Sequence, residues 1–148
     1  MKGTRQRILR AARLLFNQHG VANVSQRNIS DHIAISPGNL TYHFKKRDDI
    51  IEALYFDLVE EMNISFKTCS KEAPSLSALL TLTKAINKNL FDNRFFMIDF
   101  IHIIRANDKI RKHYVELSET RERQVKEVID VLISEGLMRS EELPNEFS

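Results

Sequence analysis

The stretch Ser25–Arg47, SQRNISDHIAISPGNLTYHFKKR, decides how this chain is read. Ser25 stands directly ahead of a short run in which Ile29 and Ile33 fall four apart, so its hydroxyl can cap the free amides of a helix over Gln26 to Ile33. Ser36-Pro37 announces a second helix: serine as cap, and proline at the first helical position, where its missing amide hydrogen costs nothing. Leu40 and Phe44 form the buried i, i+4 pair of that helix. Pro37, Gly38, Asn39, Thr41, Tyr42 and His43 remain outward, compact or planar and almost uncharged, an unusual surface for a helix that only faces water. Two short helices, a tight turn and a closing basic cluster make a helix-turn-helix, the arrangement that lays its second helix in a DNA major groove.

Charge separates along the chain in the way such docking requires. Up to Arg47 there are nine Lys/Arg against one acidic residue, Asp31, whereas the remainder carries 13 basic and 19 acidic residues. The net charge of +2 therefore conceals a positive head on a negative body. A polyanion would meet the head and not the body.

From Ile8 to Ile51 the chain resembles the DNA-binding domain of TetR/AcrR-type bacterial transcriptional repressors. The resemblance is carried by ILRAARLLFNQHG, by SQRNISDHIAIS and by SPGNLTYHFKKRDDII, with the family's Ser-x-Gly-x-Leu-Tyr-x-His-Phe-basic pattern matched at Ser36, Gly38, Leu40, His43, Phe44 and Lys45. Two positions depart from it. Thr41 replaces the usual tyrosine, with Tyr42 beside it, and Ala34 replaces the usual turn glycine, which costs roughly 1 kcal/mol if φ there is positive. The resemblance implies roles for individual residues. Ser25, Gln26 and Arg27 open the first motif helix at a phosphate-favouring end, with Arg27 reaching a base or phosphate. Gly38 admits a close backbone, Asn39 bonds bidentately to an adenine edge, and Thr41 offers a methyl and a hydroxyl. Tyr42 and His43 bond phosphates, His43 having the alternative of a wedge between helices. Lys46 and Arg47 clamp the DNA backbone.

Working outward, the pattern is all-α: a three-helix head (residues 1–47) joined by a linking helix to an antiparallel helical body (residues 48–148). Ile8, Leu9, Ala12, Leu15 and Phe16 recur at helical spacing over Thr4 to His19, and Gly20 stops that helix. Arg5, Arg7, Arg10 and Arg13 lie off the stripe, and Arg5 and Arg7 are the candidates for the DNA backbone, with a merely solubilising face as the alternative. Val21 packs under the motif. A linking helix runs from Lys46 to about Lys67, through Ile50, Ile51, Leu54, Leu58 and Met62, with Asp48 and Asp49 complementing its dipole. Lys71 to Pro74 breaks the pattern, and Ser75 caps a further helix bearing Leu76, Leu79, Leu80, Leu82, Ile86 and Leu90.

Asn93 then begins RFFMIDFIHIIRAN, read as one helix, apolar nearly all round and hence buried on more than one side. Phe95, Phe96, Met97, Phe100, His102 and Ile104, with Tyr114 of the next helix, are the expected lining of a ligand pocket, with plain core packing as the alternative. Asp108 caps a long helix to about Glu135, its middle, SETRERQVKEV, charged and solvent-facing, and Gly136 ends it. Ser140 is another cap-like residue. Members of the resembling family continue for about two more helices that form a dimer interface, so this sequence is expected to be a truncated product of a homodimeric protein, with dimerisation through the surfaces of the long helix as the alternative.

Other chemistry is thin in the sequence. The five histidines show no zinc spacing and no HExxH pattern, so no metal or cofactor is expected; Asp99 and His102 could touch a ligand, or form a satisfied buried pair. No phosphate-cradling loop or nucleophile elbow appears, which argues against an enzyme. Cys69 is alone, so no internal disulfide forms. No apolar run approaches ~18 residues and no signal-peptide core follows Met1, so a cytoplasmic protein without membrane attachment is expected. The implied function is a repressor on a palindromic double-stranded operator, released by a small-molecule effector in the body. The rival is a helical protein-interaction module that kept the fold and lost the operator.

Overall fold

The computed structural model describes residues 3–69 and 75–139. All regular structure among them is helical: α1 (Thr4–His19), α2 (Gln26–His32), α3 (Pro37–His43), α4 (Arg47–Cys69), α5 (Leu76–Asp92), α6 (Arg94–Ile98), α7 (Phe100–Ala106) and α8 (Asp108–Ser134), with one 3-10 turn at Val21–Asn23. The three-helix head, the linking helix α4 and the antiparallel helical body are thus present. The expected break at Lys71 to Pro74 and the cap-like Ser140 lie outside the described residues.

Local chemistry sets the ends of the head helices. Ser25 and Asn28 form a reciprocal capping box, the Ser25 hydroxyl accepting from the Asn28 amide at 3.2 Å while Asn28 Oδ1 accepts from the Ser25 amide at 2.9 Å. Ser36 accepts from the Asn39 amide at 3.2 Å, with Pro37 in the first turn. Between the two helices Ala34 adopts φ +54°, the left-handed conformation that a Cβ disfavours. Gly20 ends α1 at φ +78° and Gly136 follows α8 at φ +70°.

One apolar cluster runs from head to body. Ile8, Leu9, Ala12 and Phe16 of α1 meet Ile29 of α2, Leu40 of α3 and Ile50 of α4, and the cluster continues through Tyr55, Phe95, Phe96, Ile103 and Ile110. Phe16 and Phe95 lie 5.4 Å apart between ring centroids, and Tyr55 stacks on Phe96 at 5.3 Å. Polar bonds lock the same seam. Asn17 Nδ2 donates to the Asp92 carbonyl at 2.8 Å, at the end of α5, and Asn17 Oδ1 accepts from the Phe95 amide at 3.0 Å, in α6. The Val21 amide donates to Asp99 Oδ2 at 2.9 Å.

That last bond corrects the expectation of a single helix over 93–107. The chain bends at Asp99, φ −97° and ψ 15°, dividing α6 from α7, and the carboxylate at the bend is directed onto the head. Nor is the segment buried all round: Met97, Ile98 and Ile101 are exposed, Ile98 at 72%. Asn93 is buried and stands at the start of α6, where its carbonyl accepts from the Phe96 amide at 2.9 Å, while its side chain donates back to the Asn89 carbonyl at the end of α5. At α8 the cap is Asn107, whose Oδ1 accepts from the Ile110 amide at 3.0 Å, and Asp108 is the first helical residue. In α5, Ala78 and Leu82 are buried while Leu76 and Leu80 are exposed.

Candidate nucleic-acid interface

The side chains along the outward face of α3 are held by the helix backbone and not by packing. Leu40 and Phe44 are buried beneath it; Ser36, Pro37, Gly38, Asn39 and Thr41 are exposed, and Tyr42 reaches 85% exposure. Asn39 uses its main-chain amide for the Ser36 cap, and its side-chain amide has no hydrogen-bond partner among the described residues. All four of its donor and acceptor positions are therefore open to a base edge. A Cβ built on Gly38 would meet nothing within 4 Å, so the protein itself does not require glycine there. Thr41 bonds its hydroxyl back to the Pro37 carbonyl at 2.9 Å, which leaves the methyl as its free group. His43 is half-buried with its ring edge-on to Tyr42 at 5.2 Å, a placement compatible with both readings given to it.

Basic residues around this face divide into free and committed groups. Arg27 is exposed, with only a long 3.9 Å ion pair to Asp31. Lys46 is exposed and precedes α4, its main-chain amide taken by Asp49 Oδ2 at 2.9 Å, so the ammonium and not the helix end is its available charge. Arg47 is tied inward: Nη1 donates to the carbonyls of Val21 at 3.0 Å and Val24 at 3.4 Å, fastening α4 to the loop ahead of the motif. Gln26 similarly donates to the Phe44 carbonyl at 2.8 Å, and Ser25 is engaged in its capping box. Arg7 closes the end of α2 through the Ile33 carbonyl at 2.8 Å, and Arg5 lies over the Phe44 ring at 5.2 Å. The arginines of α1 that were candidates for the DNA backbone thus brace the motif. Their roles were not legible because their partners, the Ile33 carbonyl and the Phe44 ring, lie far along the chain.

A family model described as "Bacterial regulatory proteins, tetR family" matches residues 8–54, and one described as "Bacterial transcriptional repressor" matches residues 58–146, more than half of the chain. The chain belongs to the TetR family of transcriptional regulators. Its head is 43% identical over 51 residues to the HTH-type transcriptional regulator UidR of Escherichia coli K12, a match spanning 34% of this chain and 26% of UidR. The "Probable HTH-type transcriptional regulator YttP" of Bacillus subtilis is 24% identical over 148 residues, 95% of this chain and 68% of that protein. A TetR-family regulator from Marinobacter aquaeolei VT8 superposes with a TM-score of 0.89 at 25% identity, over 97% of this chain and 70% of its own.

In the body of this TetR-family chain, the residues expected to line a pocket are dispersed. Phe95 and Phe96 are buried in the head–body seam, Phe100 packs on Tyr114 at 4.9 Å, Ile104 is half-buried, and Met97 and His102 face outward. A cavity of about 350 Å³ lies elsewhere, walled by Phe66 and Cys69 of α4, Ala78 and Leu79 of α5, and Gln124, Val128 and Leu132 of α8, among others. None of the seven expected residues is in its wall. Beside it is a polar group that sequence reading placed in solvent: Arg121 is half-buried, its Nη2 donating to Asn63 Oδ1 at 2.6 Å and its Nη1 to Gln124 Oε1 at 2.7 Å. The signal was present in the spacing, since Arg121, Gln124 and Val128 share a face of α8. Farther along, Tyr55 and His113 share a hydrogen bond of 2.8 Å between α4 and α8. Burial, then the neighbouring Tyr114, push the Tyr55 phenol up to about 12, against a smaller opposing effect of Arg121. Among the described residues no group of His, Cys, Asp and Glu could hold a metal, and no helix is long and apolar enough to cross a membrane.

Proposed function

We propose that the chain is a cytoplasmic repressor whose residues 1–47 bind a palindromic operator as part of a homodimer and whose residues 48–148 bind a small molecule that releases it. The observation that carries the DNA-binding part is the outward face of α3, where Asn39 presents an unpartnered side-chain amide between open space at Gly38 and the exposed Tyr42. Asn39 reads an adenine, the Thr41 methyl meets a thymine methyl, and Tyr42, His43, Lys46 and Arg27 hold phosphates, as does the start of α2 at Ser25 and Gln26. Ser36 and Pro37 set the angle at which α3 enters the groove. Arg47 contributes chiefly by holding α4 to the head. The release mechanism is a population shift: a ligand that favours one arrangement of the α4–α8 pair changes the angle of the head that α4 carries.

The test uses an operator selected from random-sequence duplexes. Asn39→Ala weakens binding to it by about 1–3 kcal/mol and relaxes one base position. Lys46→Ala weakens binding to all duplexes and lowers the salt slope by about 0.9. A loss for Asn39→Ala that is equal on selected and random DNA removes base readout from this residue, and an unchanged slope removes Lys46 from the phosphate contacts.

A further inference from the structure

Arg121 is a cation without an anion. Its guanidinium lies between α4 and α8, with Cζ 4.4 Å over the Phe66 ring, and its two hydrogen bonds go to the neutral amide oxygens of Asn63 and Gln124. No carboxylate among the described residues forms an ion pair with it. Burial lowers its affinity for the proton, against a smaller opposing effect of Tyr55. A half-buried guanidinium with two of its five N–H donors bonded is an incomplete arrangement, because amide oxygens compensate its charge far less than a carboxylate does.

Two of the residues that hold Arg121 also wall the 350 Å³ cavity. Phe66 and Gln124 stand between guanidinium and hollow, whose remaining wall includes Ala78, Leu79, Val128 and Leu132. Lys67 and Glu127 on that wall carry opposite charges. The cavity is at the small end of the range for ligand pockets. A chamber with a mainly apolar wall, beside a guanidinium that no described carboxylate pairs and behind a displaceable amide, is matched to a molecule with an apolar tail and an anionic head.

We infer that the body binds an amphipathic monocarboxylate, its chain in the cavity and its carboxylate on Arg121 in place of the Gln124 amide oxygen. This rests on the proposed ligand-binding role of the body. Because Asn63 belongs to α4 and Arg121 to α8, a carboxylate drawing on the guanidinium also alters the tie between those helices.

The experiment titrates the full 148-residue chain with decanoate and with decan-1-ol by calorimetry. Wild-type protein should bind decanoate roughly ten- to hundredfold more tightly than the alcohol, the range expected of a charge-assisted hydrogen bond. Arg121→Gln should erase that preference and keep the alcohol's affinity. Gln124→Glu, which supplies an internal carboxylate, should block decanoate and spare the alcohol; it decides the matter if Arg121→Gln fails to fold. Equal affinities in the wild type, no decanoate binding at millimolar concentration, or a preference that survives these substitutions overturns the inference. Release from the selected operator is measured on the same protein. Arg121-dependent decanoate binding without release upholds the carboxylate site and overturns the ligand-release part of the proposed function. Release by the alcohol as effective as by decanoate upholds release and overturns the carboxylate site.

Discussion

At the turn between α2 and α3 a single methyl group has a definite energetic consequence. Ala34 occupies φ +54°, and its neighbours prevent relaxation: its own amide bonds the Asp31 carbonyl at 3.2 Å and the following Ile35 amide bonds the Ser30 carbonyl at 3.0 Å. Ala34→Gly should therefore raise unfolding stability by about 1 kcal/mol, observable as a higher urea midpoint at unchanged slope. No gain would mean that the freedom glycine adds to the unfolded chain offsets the strain removed. The two residues at the start of α4 are separable by the same kind of measurement. Arg47→Ala should lower stability by about 1.5–3 kcal/mol, because Nη1 joins the Val21 and Val24 carbonyls, and should change the salt dependence of DNA binding less than Lys46→Ala does. A salt-slope change as large as that of Lys46→Ala would return Arg47 to the phosphate contacts. Both are basic residues at a helix start and read alike in one dimension. What separates them is whether a carbonyl lies within reach.

Between helices, the decisive feature is the corner where α6 meets α7. Periodicity in RFFMIDFIHIIRAN supports one continuous helix, since apolar residues stand at every angle. In the fold the segment bends at Asp99, whose carboxylate accepts the Val21 amide, while Asn17 joins the end of α5 to the start of α6. Head orientation is thereby tied to the body through α1 as well as through α4. Asp99→Ala leaves the buried Val21 amide without its partner and should cost about 1–3 kcal/mol, measured by urea unfolding; Asp99→Asn, which keeps an accepting oxygen, should cost less. Equal losses from the two substitutions would remove this bond from the seam. The core positions of α1 and α3 were legible because each helix has one apolar stripe; α4 buries Tyr55 and Val59 beside the expected Ile50, Ile51, Leu54 and Leu58, and its Met62 is half-buried. Those of α6 and α7 were not, because a segment apolar on all sides does not say which side is covered.

For the molecule as a whole, the cluster from Ile8 to Ile110 joins head and body, and the Tyr55–His113 bond sits on its body side. Burial raises the Tyr55 phenol from its ordinary value of 10.0 to about 12, so folding favours the protonated phenol. Its contribution is complete below the unfolded value near 10 and is lost as pH rises toward 12. Wild-type protein should lose stability across that window, and Tyr55→Phe should lose less across it, as followed by thermal unfolding at stepped pH. An identical alkaline decline in the variant would assign the loss to other groups. The sequence by itself determined the helix order of the head, its caps, its positive charge and its outward polar face, because capping, i, i+4 burial and charge are local properties of neighbouring residues. Only the tertiary structure decided that Arg5, Arg7 and Arg47 brace the motif, that Asp99 faces the head, and that Arg121 is enclosed beside a cavity. Each of those outcomes depends on a partner brought close by folding, and distance along the chain carries no record of it.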